Sequence, residues 1–294
     1  MGFTGLARWV NAPTTGLDQV RENIHRNHDG KYKGKWHLSV KSYRSTLGPV
    51  PGFQYLAERT MCTLTMDDNV FVLLEDPSAP TRADVLAAAP PGREMEYLQG
   101  PSHFRTTFLT LKPPGSLEQL MTQLNARWMS VRQTAGNPAQ RAQTGGQQLL
   151  VEGHIFSIGS DWLVRVGNVT LAGGATKGML LEAEYLPLPV LTSPMADGTS
   201  ELLSNLLLSV LPNVRDAKTV AVTISDTQWE DVLWTRDEEE ANRAKANEAE
   251  AVDELYVYGH EDIPEKKAGD WFGVDRDRRS AYLIIGALKS EGIL

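Results

Sequence analysis

Two runs of alternating residues face each other across a small-residue loop in residues 161–187, DWLVRVGNVTLAGGATKGMLLEAEYLP. In the second run Met179, Leu181, Ala183 and Tyr185 share one side, and Glu182 and Glu184 share the other. Period-two alternation is a strand signal, and two such runs joined by glycines read as a hairpin. The loop GGATKG holds its lysine after a threonine, the reverse of a phosphate loop's order, and a strand rather than a helix N-terminus follows. It is therefore a hairpin tip, and the chain is steered toward an antiparallel sheet. Setting Leu171 opposite Gly178 puts Val166 against Ala183, Arg165 against Glu184 and Val164 against Tyr185. That register joins apolar pairs and an opposite-charge pair across the strands. Trp162, Val164 and Val166 then build core with Leu181, Ala183 and Tyr185, while Arg165 lies between Glu182 and Glu184. A one-residue slip destroys both matches.

The rest of the chain supplies partners for this hairpin. A helix is expected over 15–28, with Leu17, Val20 and Ile24 on one stripe. Trp36, Leu38 and Val40 mark a strand, and residues 59–75 read as two strands around the turn Asp67-Asp68-Asn69. Residues 76–102 form a surface excursion with a short helix between prolines, and 103–111 return as a strand. A helix over 116–132, N-capped by Ser116, carries Leu117, Leu120, Met121, Leu124 and Trp128. After a polar loop at 133–146 comes a strand at 147–158, and beyond the hairpin a leucine-rich helix at 199–211. Residues 276–289 suit a helix, although YLII is equally strand-like. Hairpin-joined strands with inserted helices and no βαβ alternation predict an α+β fold, mainly an antiparallel barrel-like β-sheet with flanking helices. Residues 1–294 are read as a single domain.

Charge and composition exclude several function classes. The net charge is −8, and residues 236–265 alone hold three Lys/Arg against eleven Asp/Glu. This block has no apolar stripe, so 236–267 is expected to be an acidic, mobile insertion. The strongly basic face of a duplex-binding domain is missing. No apolar run approaches the roughly 20 residues that span a bilayer. The opening MGFTGLARWV lacks a signal peptide's basic-then-apolar order, and Cys62 is the one cysteine, which excludes an internal disulfide. An intracellular protein is expected.

Four groups of residues could carry chemistry. His25 and His28, beside Asp29, have a helical metal-ligand spacing but no further ligand nearby, and the histidines read as surface residues at a helix C-terminus. Cys62 alternates with apolar neighbours and reads as a buried structural thiol. Lys31-Tyr32-Lys33-Gly34-Lys35-Trp36 interleaves bases with aromatics, as a single-strand nucleic-acid surface does, but it is one short run without a module motif. Glu182 and Glu184 are the strongest enzymatic candidates. Alternate glutamates on a barrel strand can hold a divalent metal, as in metal-dependent phosphohydrolases that cut triphosphates inside a tunnel of strands. Those enzymes also need a lysine two positions on, where Leu186 stands here, and further acidic pairs on opposing strands. Arg165 supplies the plainer explanation, an ion pair.

The opening MGFTG, the hairpin DWLVRVGNVTL…KGMLLEAEYLP and the helix LLSNLLLSVLP together resemble the family of subunit 20 of the Mediator complex. The resemblance implies a non-enzymatic subunit of the nuclear coactivator's head module, supporting RNA polymerase II transcription through protein–protein contacts. It implies a barrel-like sheet with flanking helices, subunit 18 as direct partner, and a C-terminal helix of subunit 8 as tether. Other head-module subunits and the polymerase machinery complete the partners, with no cofactor, no metal, no membrane and no sequence-specific nucleic acid. Residues 76–102 and 225–275 depart from the family pattern as long additions of the kind fungal members carry.

The hairpin's second face is more apolar than a wet face should be, since Leu163, Val169, Leu171, Leu180 and Leu186 surround its charged centre. Contiguous apolar area marks an interaction site, and these five residues are expected to bind the partner subunit.

Overall fold

Alternating strands need neighbours, and the computed structural model shows which they find. It describes residues 3–45, 58–124, 128–130, 148–171, 174–187, 200–212, 217–218 and 274–294. The acidic insertion at 236–267 and the polar loop at 133–146 lie outside the described residues. The strands are β1 (Phe3–Trp9), β2 (Lys31–Ser45), β3 (Thr60–Met66), β4 (Asn69–Glu75), β5 (Thr106–Leu111), β6 (Trp128–Ser130), β7 (Leu149–Ile158), β8 (Trp162–Leu171), β9 (Thr176–Tyr185) and β10 (Ala217–Lys218). They form one antiparallel sheet in the order β10-β1-β9-β8-β7-β2-β3-β4-β5, with β6 pairing β2. The α+β reading holds. Among the described residues the sheet is strongly curved but not closed, since β10 and β5 end it without meeting.

The hairpin register differs from the expected one by two residues. Arg165 faces Glu182, Val164 faces Ala183 and Trp162 faces Tyr185. Thr176 and Lys177 belong to β9 rather than to the loop, and the Leu171 N–H donates to the Ala175 carbonyl at 2.9 Å. A shift of two preserves both faces, since side chains repeat every second residue. The register breaks between Val169 and Thr170, near Gly178 at φ +117, where an added Cβ would lie 2.5 Å from the Trp9 carbonyl oxygen.

Among the described residues six helices accompany the sheet: α1 (Gly16–Asn27), α2 (Arg82–Ala88), α3 (Glu94–Gln99), α4 (Ser116–Gln123), α5 (Glu201–Val210) and α6 (Val274–Ser290). The helix expected over 116–132 stops early. Gly115, not Ser116, is its N-cap, and Trp128 lies in β6, packed with Tyr43 and Leu117. Pairing with β2 and partial burial of Trp128 outweigh the helical pattern there. The excursion folds as α2 and α3. Asp76 ties its base, accepting from Ser78 N–H at 3.0 Å and pairing with Arg59 at 2.6 Å and His103 at 2.9 Å.

Each face of the sheet has its own core. On the outer face Trp9, Val164, Val166, Met179, Leu181 and Ala183 pack against Val20 and Ile24 of α1 and Leu203, Leu207 and Val210 of α5. On the inner face Leu6, Trp36, Leu38, Leu64, Phe71, Val151 and Val169 surround Ala281, Leu283, Ile284, Ile285 and Leu288 of α6. This helix touches β1 toward one end of the strand order and the neighbours β3 and β4 toward the other, so the sheet wraps around it.

Candidate functional site

Inward positions of β8, β9 and β1 carry charges in the middle of this apolar lining. Arg165 donates from Nη1 to Glu182 Oε2 at 2.8 Å and stands 3.5 Å from Glu184 Oε2. From α6, Arg276 donates to the same Glu184 oxygen through Nη2 at 2.5 Å and Nε at 3.1 Å. At the other end of α6, Arg8 of β1 donates to Glu291 at 2.9 Å and to the Lys177 carbonyl at 2.9 Å. Glu182 is 0% and Glu184 1% exposed. Carboxylates this deep persist as anions only when paired and hydrogen-bonded. Burial works against the Arg165 charge, yet Glu182 and Glu184 outweigh it and hold its pKa above the ordinary value. For Arg8 the balance is reversed, and burial lowers its pKa despite Glu291. Burial likewise raises the pKa of Asp277, against the pull of Arg165 and Arg276.

The row joins helix to sheet. Alternate glutamates on one inward face are what a metal-dependent phosphohydrolase would need, and the two carboxylates do share that face. One oxygen of each, Oε2, is turned to guanidinium groups, and α6 packs on the same inner face. Among the described residues no group of three or more His, Cys, Asp or Glu could hold a metal ion. Glu182 Oε1 is buried without a hydrogen-bond partner among the described residues, so this carboxylate depends on Arg165 for its compensation.

The other singled-out residues fall in separate places. His25 Nδ1 lies 3.3 Å from the Gly30 carbonyl and His28 Nε2 3.3 Å from that of Ser209, both at the C-terminal end of α1. Cys62 is buried in the inner core, and burial raises its pKa, which suits an inert thiol. Tyr32 stands exposed at the start of β2 in edge contact with His154 and Phe156, whereas Trp36 is buried. Of the five residues expected to bind a partner, Val169, Leu171 and Leu180 lie in the inner core beneath α6. Leu163 is half-buried and Leu186 is 38% exposed. The chain's own C-terminal helix thus covers much of the apolar face. Arg276 and Asp277 went unrecognised as site residues in the sequence; their one signal was the dense charge just before the apolar run of α6.

The family model described as Med20, TATA-binding related factor (TRF) of subunit 20 of Mediator complex, matches residues 1–230. No curated protein sequence matches the chain. Among solved structures, that of the Schizosaccharomyces pombe Mediator head module aligns with a TM-score of 0.32 and 11% identity, covering 75% of this chain and 99% of that one. A Pyrococcus horikoshii OT3 protein aligns with a TM-score of 0.35 and 10% identity, covering 74% of this chain and 93% of that one. The HpAC1 protein of Hippeastrum, which has a dominant triphosphatase activity, aligns with a TM-score of 0.35 and 10% identity, covering 74% and 90%.

Proposed function

The chain belongs to the family of Mediator subunit 20, and on that premise we propose that it is a non-enzymatic subunit of the Mediator head module. It supports RNA polymerase II transcription in the nucleus by protein–protein contact, with subunit 18 as direct partner and a helix of subunit 8 as tether. The family match over residues 1–230 carries this reading. The filled inner face supports its non-enzymatic part, since Glu182 and Glu184 are sealed beneath α6. The chain works as one domain. Leu163 and Leu186, at the open end of the β8–β9 hairpin, are the members of the expected apolar face that a partner can reach.

Co-expression with the head-module subunits, subunit 18 among them, tests the assignment: the chain should co-elute with them in size exclusion. A chain that stays apart from all of them overturns it. The purified protein should also hydrolyse no triphosphate with added Mg²⁺ or Mn²⁺. Measurable hydrolysis that disappears in the double variant Glu182→Gln/Glu184→Gln would restore the phosphohydrolase reading.

A further inference from the structure

A β-bulge decides where the basic run Lys31-Tyr32-Lys33-Gly34-Lys35 of β2 points. Tyr32 pairs with Phe156 and Lys35 with His154, and the register breaks between Tyr32 and Gly34, which leaves Lys33 as the extra residue. Residues three apart on a regular strand face opposite sides. The bulge cancels that, so Tyr32 and Lys35 share the outer face with Phe156 and His154; bulges re-aim side chains in this way beside functional sites. Tyr32 meets both rings edge-on, its centroid 5.7 Å from that of His154 and 6.1 Å from that of Phe156, and is still 57% exposed. The three rings line one side of an open groove of about 1020 Å³, whose other wall is the Arg21 and Arg26 side of α1. Lys31 lines it too, and Lys33 and Lys35 follow on the same strand. All three lysines are exposed and enter no ion pair among the described residues. Of the acids in the groove, Asp18 pairs with Arg21 at 3.0 Å and Glu22 with Arg26 at 2.6 Å, which leaves Asp29. The chain around it is basic as well: residues 1–60 hold nine Lys/Arg against four Asp/Glu in a protein of net charge −8.

We propose that this groove binds single-stranded nucleic acid without reading its sequence, a base stacking on the exposed part of Tyr32 and phosphates meeting Lys31, Lys33 and Lys35. This binding needs no assembly partner and goes beyond the function proposed above. Every nucleotide brings a π-face and an anion, so an exposed ring set among unpaired cations meets both halves of the ligand. Other ligands fit less of the groove. An alkylammonium group favours an aromatic floor, but three unpaired lysines beside it repel a cation. An acidic peptide meets the lysines and leaves the ring without a partner. A duplex keeps its bases stacked inside and needs a broader basic face than one strand and one helix carry.

Fluorescence anisotropy of labelled oligo(U) and oligo(dT), each about eight nucleotides long, with the full chain tests this. Binding of either supports the proposal, and the tighter of the two identifies the strand. Three phosphate contacts give a slope of about −2 in log K against log salt, so affinity should fall about 20-fold between about 50 and 200 mM salt. Tyr32→Ala should weaken binding at least about fivefold, and Tyr32→Phe should leave it within about twofold. The double variant Lys33→Gln/Lys35→Gln should weaken binding and flatten the slope to about −0.7. These variants should keep the thermal midpoint of the parent chain, because their positions are exposed. Three results would each overturn the proposal: neither strand binding at about 50 mM salt, Tyr32→Ala binding as its parent does, or a slope that the lysine variant leaves unmoved. So would a poly-glutamate peptide or a duplex of the same length that binds as tightly as the single strands. The first would make the groove a site for acidic polypeptide, and the second a general phosphate surface.

Discussion

Arg165→Leu removes the guanidinium that stands 2.8 Å from Glu182 and 3.5 Å from Glu184. Both carboxylates stay behind at 0% and 1% exposure, and Glu182 has no hydrogen-bond partner for its second oxygen among the described residues. Breaking a buried pair by removing one partner costs about 3–5 kcal/mol. Protonation caps that cost. An ordinary glutamate titrates near pH ~4.3, so taking up a proton at pH 7 costs roughly 1.4 kcal/mol for each of about 2.7 pH units, or ~3.7 kcal/mol. At pH 5 the same step costs only about 1 kcal/mol. Without Arg165, burial disfavours the charged carboxylate, so the variant's penalty grows as pH rises and shrinks as pH falls. The expected loss is therefore about 3–4 kcal/mol at pH 7 and about 1–2 kcal/mol at pH 5. Glu182→Gln should cost less, because Arg165 retains Glu184. The double variant Arg165→Leu/Glu182→Leu should recover much of the single-variant loss, as apolar replacement of both partners often does. Urea unfolding followed by circular dichroism at the two pH values reads all of these. A loss below about 1 kcal/mol at pH 7, or one equal at both pH values, would refute the dependence of the inner carboxylates on Arg165.

Asp76 sits at the base of the excursion with its pKa held at about 2, below the ordinary 3.8; burial opposes this, but the bonds from Ser78 and His103 and the charge of Arg59 outweigh it. A depressed carboxylate stabilises the fold above its unfolded pKa and loses that effect as pH falls from about 4 to 2, so Asp76→Asn should cost roughly 2 kcal/mol at pH 7 and little at pH 2 in thermal melts. A Cβ on Gly153 would lie 1.9 Å from the Val166 carbonyl oxygen, whereas one on Gly34 meets nothing within 4 Å. Gly153→Ala should therefore lower stability by about 1–3 kcal/mol, and Gly34→Ala should stay within about 0.5 kcal/mol.

Alternation in the hairpin was enough to assign the apolar and charged side chains of Trp162–Val166 and Leu180–Tyr185 to their faces, because a strand's period is a property of the local backbone. It could not distinguish a register of Arg165 on Glu182 from one on Glu184, since both preserve the faces and both pair a charge. The tight turn that draws Thr176 into β9 made that choice. Stripes also located α1 and α5, whose apolar positions meet a single face of the sheet. At α4 the stripe ran on to Trp128, but β2 offered that segment a ladder, and pairing across the chain outweighed local pattern. The motifs of the hairpin and the leucine-rich helix were sufficient for the family resemblance. The expected partner face was decided by tertiary structure alone. Val169, Leu171 and Leu180 read as open to a partner because the leucine-rich helix that follows the hairpin could cover only part of that face. The helix that covers them begins almost a hundred residues later, and Arg276 reaches Glu184 across a separation of 92 residues. A helix over 276–289 was legible, but its apolar residues face the core on most sides, which left YLII readable as a strand too. Periodicity records which way a side chain points, and only the folded chain determines what it meets there.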